Sequence, residues 1–359
     1  MAQEVGMRRY RYILPPLVAL LSILCSFLTV KWREAQIIDM INDAGRKNEP
    51  IVVCNTFMGD SVLVTFGHDP VRLATKSFTW PGLQPFVSDS GVISFLDISP
   101  NSDYMRHTPR MRRIELPKVF AGEPIIVEYP PEIGQDDRLC VTRDPKNVVC
   151  DDEGYVILSL PDLAETRGKF ESMPPWLDVP DTSSPFCVVS ADGNVIIARV
   201  FSWTTSAAGI WSYDIGAGVW HKIIDDLGPG HPSVGPDGKI MAYELSESTK
   251  KPSKIQFINT SDGTVMHEVF QAKWSIIGER WIACMEKHAT GVILVDMANG
   301  WTERRIPLPR HAENEYTIWV PPPGGYAEMM SLREGVSVSA TDDEARLMRD
   351  SNAASNGGV

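Results

Sequence analysis

Between Ser184 and Leu308, apolar and polar positions fall into short blocks that write one four-strand unit three times. The first copy reads PFCVVS, NVIIARVF, GIWSYDI and VWHKII, with Asp192-Gly193 at its first turn. The second reads HPSVG, KIMAYEL, KIQFIN and TVMHEVF, with Asp237-Gly238 and Asp262-Gly263 at two turns. The third reads AKWSII, RWIACMEK, GVILVDM and WTERRIPL. Apolar blocks bounded by Asp-Gly predict strands joined by tight turns. Glycine supplies the positive φ, and the aspartate side chain accepts from the backbone two residues on.

The same first hairpin can be traced three more times. QPFVSDSGVISFLDIS starts at Gln84. RLCVTRDPKNVVCDDEGYVILSLP starts at Arg138 with its turn at Asp151 to Gly154. YTIWVPPPGGYAEMMSL starts at Tyr316 with Gly324-Gly325 as the turn. Hairpins beginning near Gln84, Arg138, Pro185, His231, Lys273 and Tyr316 are 42–54 residues apart. That period predicts an all-β fold over residues 50–338: a six-bladed β-propeller of four-stranded blades, with five or seven blades as alternatives. Two early strands, IVVCNTF and SVLVTFG around Met58-Gly59-Asp60, have no unit of their own. They are expected to complete the last blade, which would remove two open sheet edges.

The N-terminus has a different pattern. Residues 13–30 are apolar without interruption and carry no charge, the minimum for a bilayer-spanning helix, and Trp32 follows as an interfacial aromatic. Pro15 and Pro16 fall in the first turn of this segment, where a missing N–H costs least. Arg8, Arg9 and Arg11 outnumber Lys31 and Arg33, so residues 1–12 are expected in the cytoplasm and the propeller outside it. A cleaved signal is the alternative, but CSFLTVKWREA offers no pair of small residues at cleavage spacing, and Leu24 is too large for a lipoprotein box before Cys25. Residues 31–49 read as a helical stem with Ile37, Ile38 and Ile41 on one side and Gly45 as its stop; residues 339–359 read as a disordered tail.

A net charge of -12 argues against a nucleic-acid footprint. Outside the apolar segment the cysteines are Cys54, Cys140, Cys150, Cys187 and Cys284. Cys140 and Cys150 flank a turn at Asp144-Pro145, which leaves open either a hairpin disulfide or five small buried strand residues. The seven histidines (His68, His107, His221, His231, His267, His288 and His311) show no metal-ligand spacing, so no metal and no cofactor is expected. His231 opens an inner strand and is the one placed to face a central channel, whereas His221 and His267 fall on outer strands. Asp151-Asp152-Glu153 reads as a solvated turn rather than a cation site. Trp203, Trp211, Trp220, Trp274 and Trp281 read as inter-blade packing, with a sugar-stacking patch as the alternative. His231-Pro232-Ser233-Val234-Gly235 lacks the first glycine of a hydrolase elbow, and metalloprotease, Walker and dinucleotide fingerprints are absent.

The string PSVGPDGKIMAYE resembles the repeat of the TolB-like six-bladed propellers through Pro232, Gly235, Pro236, Asp237, Gly238, Lys239, Ala242 and Tyr243. Pro185, Ser190, Asp192 and Gly193 match it again, as do Pro85, Ser88, Asp89 and Gly91; Trp274, Ser275 and Gly278 keep less of it. The resemblance implies a structural repeat and no catalytic residue. The expected function is a membrane-anchored, extracytoplasmic platform that binds a protein, peptide or envelope polymer. The alternative is a lyase or hydrolase on sugars or lactones with a metal or acid/base group at the channel mouth. The longest inter-strand loops, Ser99–Arg113 and Ala164–Ser184, are where binding residues are expected.

Overall fold

The computed structural model describes residues 2–332, apart from 57–60, 74–84, 88–90, 98–109, 117–124, 129–145, 160–163, 178–184, 202–206, 226–229, 231, 246–252, 289 and 309–311. His107, His231, His311, Cys140, Trp203 and the 339–359 tail lie outside these residues.

One helix, α1 (Ala2–Lys47), runs through both the uniformly apolar segment and the expected stem without a break. From Leu17 to Trp32 its large apolar side chains are exposed, and the segment is long and apolar enough to cross a membrane. From Ile37 onward the helix docks instead: Ile37, Met40, Ile41 and Ala44 are buried, at the i, i+3, i+4, i+7 spacing of a one-sided stripe. Gly45 does not stop the helix. A Cβ there would strike the Pro322 carbonyl oxygen, so this glycine permits a close approach. The stop is Asn48 at φ 51, with Asn48 N–H donating to Gly45 O (3.2 Å) and Glu49 N–H to Ala44 O (2.9 Å), the paired bonds of a Schellman cap.

The remainder is antiparallel β-sheet. β1 (Ile51–Thr56), β2 (Ser61–Val64) and β3 (Val71–Leu73) follow the helix. A second sheet holds β4 (Pro85–Val87), β5 (Val92–Asp97), β6 (Arg110–Glu115) and β7 (Ile125–Glu128). A third has three strands, β8 (Lys146–Cys150), β9 (Gly154–Ser159) and β10 (Ala164–Lys169). The fourth contains β11 (Phe186–Val189), β12 (Val195–Val200), β13 (Gly209–Asp214) and β14 (Val219–Ile224). The fifth contains β15 (Ser233–Val234), β16 (Ile240–Leu245), β17 (Lys254–Asn259) and β18 (Val265–Phe270). The sixth contains β19 (Ala272–Ile277), β20 (Trp281–Glu286), β21 (Gly291–Asp296) and β22 (Thr302–Pro307). These twelve strands of the three clear repeats fall where the apolar blocks predict them.

The final strand, β23 (Ala312–Trp319), pairs with β1 in the register Ile51↔Trp319, so β23-β1-β2-β3 is one sheet drawn from both ends of the chain. The expected closure of the last unit is present with a different division. Residues 325–332 are helical instead of forming a second C-terminal strand. Tyr326 N–H donates to Asn42 Oδ1 (2.9 Å), and Met329 is buried beside the docked half of α1. That half is thereby packed into the core between the first and second sheets.

First strands touch in succession: β11 meets β15, β15 meets β19, β19 meets β23 and β23 meets β4. The third sheet joins differently. Lys146, opening β8, lies close enough to the turn after β11 that a Cβ on Gly193 would come within 2.8 Å of its Nζ. Cys150, closing β8, lies against Cys187 near the start of β11. β8 therefore runs opposite to β11, the polarity of a second strand in the other sheets. The hairpin expected with its turn at Asp151 to Gly154 is present as β8 and β9, and residues 138–145 of that unit lie outside the described residues.

Candidate functional site

Four-stranded antiparallel sheets place the first-to-second and third-to-fourth turns at one end of every sheet. In the fourth to sixth sheets these turns are short and held by their own side chains. Asp192 Oδ1 accepts from Ser190 Oγ (2.5 Å) and Asn194 N–H (3.0 Å), and Val195 N–H donates to Ser190 Oγ (3.0 Å). Asp237 Oδ1 accepts from Lys239 N–H (3.1 Å), and Gly238 takes φ 73. Asp192 N–H donates to Pro236 O (3.0 Å), tying adjacent turns to each other.

Between these turns lies a cleft of about 850 Å³. Ile240, Ile277, Met297 and Trp301 give it apolar walls, and Asp192, Asp237, Glu279 and Arg280 give it charged ones. Both turn aspartates are held below the ordinary carboxylate range. Burial works against this, but hydrogen bonds from Ser190 and Asn194 to Asp192, and from Lys239 to Asp237, outweigh it. Arg280 makes a two-point pair with Asp296, Nε to Oδ1 at 2.9 Å and Nη2 to Oδ2 at 2.6 Å, and this contact lowers the Asp296 pKa and raises that of Arg280. The guanidinium also lies 4.9 Å from the Trp281 ring centroid, and Trp281 Nε1 donates to Asn48 O (3.1 Å) at the helix cap. The cleft thus sits beside the end of α1. Trp301 is backed by His267 (5.2 Å, stacked) and Phe257 (5.8 Å).

A second unusual feature lies on an innermost strand. Trp274 occupies a bulge between Lys273 and Ser275 at φ 51, a conformation costly for a bulky residue, with 39% of its surface exposed. Its backbone is gripped from both sides: Tyr316 Oη donates to Trp274 O (2.8 Å), and Trp274 N–H donates to Glu244 Oε2 (3.3 Å). Of the two expectations for Trp274, inter-blade packing or an exposed stacking patch, the bulge leaves it exposed. Trp220 and Trp281 do pack between sheets, Trp220 at 4.9 Å from Tyr213 and 5.1 Å from Trp176.

Other expectations also change. Arg110–Arg113 and Ala164–Lys169, assigned to long loops, are strands β6 and β10. Asp151 Oδ1 accepts from Glu153 N–H (2.8 Å) and Gly154 N–H (2.7 Å), so this carboxylate holds its turn. His221 contacts Ser212 Oγ and Thr260 O (2.7 Å), His267 contacts Glu303 (3.2 Å), and His68 contacts Asp43 (3.3 Å). Among the described residues no three His, Cys, Asp or Glu side chains group closely enough to hold a metal. Cys150 is not bonded to another cysteine.

The short sheets joined through their first strands have the arrangement of a β-propeller, and propeller proteins are among the solved structures this chain resembles. TolB from Acinetobacter baumannii is 13% identical with a TM-score of 0.45, over 76% of this chain and 66% of the TolB chain, just under two thirds of its length. A chain of the nidogen/laminin complex is 11% identical with a TM-score of 0.41, over 75% and 98%. AztD from Citrobacter koseri is 11% identical with a TM-score of 0.35, over 73% and 71%. No family model matches the chain, and no curated protein matches it.

Proposed function

We propose that this chain is a six-bladed propeller anchored in a membrane by α1, displayed outside the cytoplasm, and used as a platform that binds a protein or peptide segment in the cleft beside the helix cap. The observation that carries the binding role is the cleft itself. Its volume lies within the usual range for binding pockets, its walls come from rigid turns of three successive sheets, and its apolar surface is edged with acidic side chains. Such a surface suits a segment that presents a basic side chain next to an apolar one. The lyase or hydrolase alternative would draw on paired acid/base groups. Here Asp192 and Asp237 are engaged in their own turns and Arg280 with Asp296, which leaves Glu279 as the remaining carboxylate of the cleft.

The test uses the full chain in detergent, titrated with fluorescent peptides that pair Lys or Arg with Leu or Phe, against peptides with Glu in place of the basic residue. Preference for the basic set, weakened at least several-fold by Glu279→Lys or Ile277→Asp, is expected. Equal binding of both sets, or none, removes the reading. Protease added to intact spheroplasts tests the anchor: it should digest the propeller and leave residues 1–12 protected.

A further inference from the structure

The five unbonded thiols among the described residues differ in their surroundings. Cys25 is exposed on α1, whereas Cys54 and Cys284 are buried in separate clusters. Cys150 and Cys187 share one cluster, on strands β8 and β11 that touch each other. Their thiols lie against each other, and the Cys187 thiol donates to Pro185 O (3.9 Å). The pair joins the third and fourth sheets, where the first strand β11 meets a strand of opposite polarity. We infer that Cys150 and Cys187 form a disulfide that bolts these two sheets together once the domain meets an oxidising compartment.

The bond would close a loop from residue 150 to residue 187, a length at which a cross-link restrains the unfolded chain appreciably. The cluster around it contains Tyr155, Phe170 and Tyr213, which cover the Cys187 side of the bridge, while Cys150 is only half-buried. Its formation needs an oxidant of the thiol–disulfide class, such as oxidised glutathione or an oxidised dithiol catalyst. One cysteine, as thiolate, attacks the oxidant's disulfide and releases one thiol. The second cysteine then displaces the other sulfur. In total the pair gives up two protons and two electrons, and the oxidant becomes two thiols. The neighbouring Cys187 thiol and then burial hold the Cys150 thiol well above its ordinary pKa. Oxidation of the folded, reduced protein should therefore be slow at neutral pH, and oxidation during folding faster.

The inference rests on the extracytoplasmic reading for its biological setting, and the experiment separates the two. Reduced full chain in detergent is equilibrated in a glutathione redox buffer poised like an oxidising compartment, blocked with alkylating reagent and mapped by non-reducing peptide mass spectrometry. A Cys150–Cys187 linked peptide is expected, together with a thermal midpoint that drops by about 5 °C or more on reduction. Cys187→Ala and Cys150→Ala should each abolish both signals, whereas Cys54→Ala should leave them unchanged. A Cys140–Cys150 peptide, or both cysteines alkylated at equilibrium, overturns the inference whether or not the alanine variants fold, because the unsubstituted chain supplies the result. If the link forms in the buffer but the thiols are free in protein taken directly from cells, the inference stands and the extracytoplasmic reading falls.

Discussion

The two halves of α1 differ in charge and meet opposite surroundings: residues 13–30 carry no charged side chain, and residues 31–47 carry seven. From Leu17 to Trp32 apolar residues cover every side of the helix and none is buried by the protein; from Ile37 to Ala44 they form a single stripe, and that stripe is buried. The difference shows how an uncharged stretch that is apolar all round needs an apolar solvent, whereas a single apolar stripe on an otherwise charged helix needs a protein partner. Because the helix is continuous, the second half also orients the first.

The sharpest way to break this contrast is to place the same charge in each half. Ile41→Asp puts an unpaired carboxylate among Ile51, Leu63 and Leu73 and should prevent folding or lower the thermal midpoint by more than 10 °C, read by circular dichroism. Leu21→Asp should leave that midpoint unchanged and move the chain from the membrane fraction to the soluble or aggregated one on flotation, since a charge near the centre of a span costs about 2.5–3.5 kcal/mol. A midpoint drop in Leu21→Asp as large as in Ile41→Asp would show that the two halves are not distinct.

Gly45→Val probes the docking alone. The new side chain meets a backbone carbonyl that has little room to move, and a loss of about 1–3 kcal/mol is expected in denaturant titration. Across the cleft, Asp296→Asn tests the pair with Arg280. Asp296 has a folded pKa below its unfolded value near 3.9, so its contribution is complete above that value and is lost as pH falls through the lower, folded pKa. The variant should therefore lose stability at neutral pH and show a shallower decline below about pH 4 in pH-resolved melts. The smallest effect is expected from Tyr316→Phe, which frees the Trp274 and Ala283 carbonyls at a cost of about 1 kcal/mol.

Most of the sheet architecture was legible where each strand is apolar and each turn is Asp-Gly, as in KIMAYEL and its partners. Legibility failed where one of those signals is missing. Strand β10, AETRGK, has almost no apolar residue because it is an exposed edge, so nothing in its sequence separates it from a loop. YAEMMSL has the apolar content of a strand, but its partners are Asn42 and the docked stripe of α1, and a helix presents Tyr326, Met329 and Met330 to them together. The polarity of β8 depends on which neighbour it meets, which no local pattern encodes. At the site, the turn aspartates were visible as turn formers, but the cleft they border is assembled from three sheets. Arg280, Glu279 and Trp301 carried no motif; the one local clue was the charged pair Glu279-Arg280 set between two apolar strands. The exposure of Trp274 was not legible because it comes from a bulge set by Glu244 and Tyr316, residues distant in sequence.

The Schellman cap at Asn48 has a geometric consequence for how a partner can arrive. If residues 13–30 occupy a bilayer, only about four residues of straight helix separate the interface at Trp32 from the docked stripe at Ile37, a stand-off of roughly 7–8 Å at 1.5 Å per residue. With no swivel between anchor and sheets, the cleft beside the cap, sixteen residues past Trp32 on the same helix, would stand about 24 Å from the interface at a fixed azimuth. Occupants would therefore meet the cleft in a single orientation relative to the lipid, with room above the surface for a folded domain to approach.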